Sequence, residues 1–80
     1  MNLVQLAGSL ARCADFCAWV SHISVPPRDV NAHEAAQFIR DTCGVQSRKE
    51  LATNPEAAHR FETMIRRPFV RWVEQKFHFA

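Results

Sequence analysis

Leu3, Leu6, Leu10, Cys13, Cys17 and Val20 recur at alternating intervals of three and four, which lines up one face of an α-helix. Phe16 and Trp19 widen this stripe, while Gln5, Ser9, Arg12 and Asp15 stay off its centre. The pattern predicts one helix over residues 2–20. Adjacent prolines, Pro26 and Pro27, then forbid a continuing helix and push the residues before them into extended geometry. A second amphipathic pattern follows, with Ala32, Ala35, Ala36, Ile39 and Cys43 on its apolar face. Asn31 stands where an N-cap belongs, Glu34 completes a capping box, and Gly44 sits at the left-handed C′ position.

Two more helix starts lie close together. Ser47 and Glu50 form a second capping box that opens a short helix ending near Ala52. Asn54 followed by Pro55 is a cap with proline at the first helical position. From there the chain reads as helical to about Phe77, with Pro68 inside the run. Proline removes a hydrogen bond and its ring clashes with the carbonyl of Met64, which predicts a kink or a break near residues 64–68. No segment reads as a strand pair. The expectation is a single all-α domain over residues 1–80: a small helical bundle of three main helices plus one short connecting helix, the last helix kinked or broken near Pro68.

On a straight wheel of residues 55–77, Phe61, Ile65, Pro68 and Trp72 share the core side, flanked by Ala57, Ala58, Met64 and Phe69. Arg60, Arg67 and Arg71 fall within about 40° of one another on the opposite side, bracketed by Glu56 and Glu74. Val70, Val73 and Phe77 form a third group beside the core stripe. Either a bend turns them into the core, or they are an exposed apolar patch for a partner or a second copy.

Composition narrows the class. Eighty residues, 48% hydrophobic with two Trp, six Phe, two Gly and no Tyr, suit a small helical domain with a thin stability margin. Ten basic residues against eight acidic ones leave a net charge of only +2, so any basic surface must come from arrangement. Three cysteines are an odd count without disulfide-type spacing. The first twenty residues lack a basic leader and are interrupted by Arg12 and Asp15, which argues against a signal peptide or a membrane span. A reducing, cytoplasmic compartment and no membrane partner follow as expectations.

Four chemistries compete for these residues. A helix-turn-helix across residues 47–67 would aim His59, Arg60 and Thr63 at a DNA groove and set Arg48, Lys49, Arg66 and Arg67 against phosphates. Its reading positions would be Glu56, Ala57 and Ala58, a poor set for base recognition. The arginine stripe could be a solvated face: Glu56–Arg60 and Glu62–Arg66 are favourable i,i+4 pairs. The like-charged pair Arg67–Arg71 is unfavourable at the same spacing and would suit an anionic partner, phosphate or carboxylate. Cys13 and Cys17 could hold zinc with His22, His33 or Cys43, but they also belong to the apolar stripe, where cysteine packs as a small hydrophobe. No metal or cofactor is expected. Nor is catalysis or a small-molecule substrate, because no phosphate loop, nucleophile elbow or paired-carboxylate motif is present.

The stretch CGVQSRKELATNPEAAHRFETMIRRPFVRW, residues 43–72, resembles small accessory proteins carried by temperate bacteriophages and prophages. The resemblance carries over no catalytic or binding residue. It implies a context in which such proteins occupy a host protein's surface, including nucleases and CRISPR-type defence complexes, or regulate phage transcription. The leading expectation is a non-catalytic interaction protein that binds a host or phage protein, or itself as a homodimer, through Arg60, Arg67, Val70, Arg71, Val73 and Phe77. The DNA-binding module is the alternative.

Overall fold

In a straight helix from residue 2 to residue 20, Ala7 and Phe16 would point about 180° apart. Both are buried in this protein, at 1% and 0% exposure. The computed structural model, which describes residues 2–76, shows how. The single helix expected here is two: α1 (Leu3–Ala11) and α2 (Ala14–Ile23), separated where Cys13 turns extended at φ −85° and ψ 126°. The break lets α1 bury small residues, Ala7, Gly8 and Ala11, while α2 buries Phe16, Trp19 and Val20. The leucine and cysteine stripe read from the sequence is therefore only partly buried: Leu3, Leu6, Leu10, Cys13 and Cys17 pack around the core's margin.

After the proline turn come α3 (Ala32–Cys43), a 3-10 helix (Arg48–Ala52), α4 (Pro55–Arg60), a π-helical turn (Phe61–Arg66) and α5 (Arg67–Lys76). The described residues are all-α and contain no strand, and none of their helices is long and apolar enough to cross a membrane. Local hydrogen bonds set the starts. Asn31 accepts from the Glu34 N–H at 2.8 Å, and the Glu34 carboxylate accepts from the Asn31 N–H at 3.3 Å. Arg28 also donates to Glu34. These contacts, the arginine's first, hold the Glu34 carboxyl below the ordinary glutamate range. Gly44 ends α3 at φ +72°, a left-handed conformation that glycine adopts without a Cβ penalty.

The core joins the elements through aromatic rings. Phe16 of α2 meets Phe69 of α5 edge-on at 5.2 Å, and Trp19 meets Phe38 of α3 at 5.9 Å. Phe16, Phe61 and Ile65 are the largest fully buried side chains, each stabilising the fold by roughly 1.5–3 kcal/mol through burial.

The last helical run buries Ala57, Phe61, Ile65 and Phe69, one residue in every four. An unbroken α-helix would carry this row about 120° round its axis between Ala57 and Phe69. The π-helical turn absorbs about one extra residue, which reduces the drift to about 20°. The row then keeps facing the core. The wide turn also lies just before Pro68, where a regular helix would set the proline ring against the Met64 carbonyl. The chain is not broken there: Arg67 holds helical angles, φ −62° and ψ −49°, and α5 runs on to Lys76. The same rotation overturns one expected core position. Met64, placed beside the core stripe by a straight wheel, is 53% exposed.

Candidate functional site

The π-helical turn redistributes the arginines that a straight helix would align. By adding about one residue, it separates Arg60 from Arg67 and Arg71 by roughly 100°. Arg60 lies against the end of α3: a Cβ built on Gly44 would fall 2.7 Å from its Nη1. It also donates to Glu56 at 2.7 Å. A cation at a helix C-terminus complements the helix dipole, so Arg60 ties α4 to α3. Its charge opposes the upward push that burial exerts on the Cys43 thiol, and burial prevails.

Arg67 and Arg71, with Arg66 and Glu74, surround Val70 in a shallow depression of about 240 Å³. Val70 is 42% exposed at its centre. Val73 does not share this position. It lies about 40° from Phe69 round the helix and packs, half-buried, against the core. Of the apolar group read from the sequence, Val70 is thus the member presented to solvent, while Phe77 lies outside the described residues. Arg66, read from the sequence as a phosphate contact and as the i,i+4 partner of Glu62, also belongs to this depression. A straight wheel already sets Arg66 about 40° from Val70, since the two are four residues apart.

Glu62 organises the near edge. It accepts from Arg66 at 2.7 Å and lies 3.5 Å from the Arg67 Nε. The first is an ordinary i,i+4 pair. The second joins residues five apart, which a π-helical turn brings together. Arg71 has no ion pair among the described residues. The depression therefore offers an apolar centre, two guanidinium groups steered by one carboxylate, and a third that is unpaired.

The residues of the DNA-reading alternative do not gather on one face. Arg48 and Lys49 stand on the 3-10 helix beside α1 and α3. Arg60 is turned to α3, and Arg66 and Arg67 are held by Glu62. His59 is exposed, and the Thr63 hydroxyl donates to the His59 carbonyl at 2.9 Å. The element preceding α4 is a five-residue 3-10 helix rather than an α-helix.

The cysteines are free. Cys17 donates through its Sγ to the Ala11 carbonyl at 3.7 Å, and burial, then the neighbouring Cys13, raises its pKa. His22 lies 6.1 Å from the Trp72 ring. Among the described residues no three His, Cys, Asp or Glu side chains converge on a possible metal position. No protein-family model, curated protein or solved structure matches this chain.

Proposed function

We propose that this chain is a non-catalytic α-helical interaction protein that docks a partner protein on the Val70 face of α5. The reading rests chiefly on Val70: an apolar side chain 42% exposed and ringed by Arg66, Arg67 and Arg71. Isolated exposed valines are ordinary. One seated in a depression rimmed by three arginines suits an apolar residue flanked by carboxylates on another protein, since arginine pairs bidentately with carboxylate. A second copy fits less well. Three arginines against two glutamates, Glu62 and Glu74, leave the face net positive, so two copies apposed about a two-fold axis would repel.

The frame behind this face is, in our reading, a small helical bundle whose last helix bends at the π-helical turn. We place the protein in the cytoplasm and in the setting of phage accessory proteins, with a host protein such as a nuclease or a CRISPR-type defence complex as partner. The acidic surface of such a partner, rather than its basic nucleic-acid channel, is the complement.

The test is affinity capture from host lysate with wild-type, Val70→Asp and Arg71→Glu baits, followed by titration of any captured protein. Both changes sit on exposed positions, so circular dichroism should be unaltered. The reading expects binding to weaken by about tenfold or more. Equal retention by all three baits overturns it. Light scattering on the free protein, with and without duplex DNA at low salt, covers the rivals. A dimer abolished by Val70→Asp would replace the partner with a second copy, and a DNA-dependent mass shift would restore the duplex reader.

A further inference from the structure

A second basic region lies on the opposite half of the chain, and its cations are arranged differently. Two hollows, of about 280 and 730 Å³, adjoin between α1, α3 and the 3-10 helix and share Ala11, Ala36 and Arg48 as lining. Their floor is small and apolar, with Ala7 in one and Gly8 in the other. Around them stand Arg40 and Lys49 on one side, Arg12 and His33 on the other, and Arg48 where the two meet.

No carboxylate lines either hollow. The nearby acid, Glu50, is turned back onto the backbone N–H groups of Gln46 and Ser47 at 2.9 and 3.0 Å. Among the described residues Arg12, Arg40, Arg48 and Lys49 form no ion pair. Four permanent cations around one cleft exceed the net charge of +2 carried by the whole chain. Like charges gathered on a low-dielectric wall repel one another and focus a positive potential into the cleft.

The backbone is also adapted to Arg48. A Cβ on Gly8 would fall 2.5 Å from its Nη1 and 3.0 Å from its Cζ. The guanidinium occupies space that any larger residue would fill. Glycine inside a helix costs roughly 0.5–1 kcal/mol relative to alanine, and here it seats an arginine that remains accessible to solvent.

We propose that this cleft binds a small polyphosphate anion, the inorganic triphosphate or the triphosphate of a nucleotide. A singly charged anion would leave most of the cations unpaired. A phosphate chain can place one charged group against Arg48 and others in each hollow, and the guanidinium fork matches phosphate geometry. The cations converge across three elements instead of forming a track, which favours a compact ligand over a nucleic-acid backbone. This site is independent of the Val70 face.

The experiment is an amide-resolved NMR titration of the full chain at low salt with sodium triphosphate, ATP and a short single-stranded oligonucleotide. Saturable shifts at Gly8, Ser9 and Ala36 with triphosphate are expected. Arg48→Ala should weaken binding by about tenfold or more. Gly8→Ala should weaken it too by displacing Arg48, while Arg71→Ala should leave it unchanged. Lys49→Ala is the substitute should Arg48→Ala unfold. Equal affinity for triphosphate and ATP supports recognition of the phosphates alone; tighter binding of ATP supports a nucleotide as the source. Three outcomes overturn the proposal: no saturable shift, triphosphate binding indifferent to both Arg48→Ala and Lys49→Ala, or binding of the oligonucleotide only.

Discussion

The two basic regions of this protein use the same side chains in opposite ways. Along α4, the π-helical turn and α5, Arg60, Arg66 and Arg67 each have a glutamate partner within 4 Å. Around the α1–α3 cleft, Arg12, Arg40, Arg48 and Lys49 have none among the described residues. The packing beneath them differs as well. The last helical run is held by large residues, Phe61, Ile65 and Phe69, whereas α1 approaches α3 and the 3-10 helix over Ala7, Gly8 and Ala11. Paired arginines on a helix surface mainly tune local electrostatics and contribute little to stability. Unpaired cations over a close-packed floor carry charge that no ion pair among the described residues neutralises. A total of ten basic residues says nothing about this division.

If large buried residues hold the last helix and its ion pairs do not, Phe61→Ala should be the most damaging change there. It removes a fully buried ring and should cost about 3–5 kcal/mol, read as a fall in the urea midpoint. A loss below about 1 kcal/mol would mean that the buried row is not what anchors this half.

Gly44→Ala tests the point where the two halves meet. The left-handed backbone at φ +72° penalises a Cβ, by about 1–2 kcal/mol. The new methyl would also fall 2.7 Å from the Arg60 Nη1. Thermal unfolding of Gly44→Ala beside Arg60→Ala and the double variant separates strain from displacement. Additive effects would show that Arg60 does not lean on this turn.

The smallest effect is expected from Glu62→Gln, which removes the carboxylate serving both Arg66 and Arg67. Stability should fall by less than about 1 kcal/mol, and less still at high salt. A loss of several kcal/mol, measured by urea unfolding at two salt concentrations, would erase the contrast between the two regions.

Short-range features were legible. The caps at Asn31, Ser47 and Asn54, the left-handed Gly44, and the pairs Glu56–Arg60 and Glu62–Arg66 all connect residues within four positions. Their geometry follows from one turn of backbone, whatever surrounds it. Arg67–Glu62 was not legible, because five residues are neighbours only in a π-helical turn. The depression around Val70 was half-legible: its exposed valine and its arginines, Arg66 included at four residues from Val70, stand out in the pattern, but Val73 leaves them only when that turn is known.

The amino-acid sequence by itself determined the helical class, the capped starts of α3, the 3-10 helix and α4, and the end of α3 at Gly44, since hydrogen bonds within a turn and steric limits on proline and glycine act locally. Tertiary structure decided the rest. It split the first helix at Cys13, because Ala7 and Phe16 cannot face one core from a straight helix. It widened the last run at Phe61–Arg66, because a row of one buried residue in four drifts off an α-helix. It also gathered Arg12, Arg40 and Arg48 around one cleft from three elements. Those outcomes depend on which surfaces meet, and a periodic pattern records a helix's own faces but not the surface that will cover them.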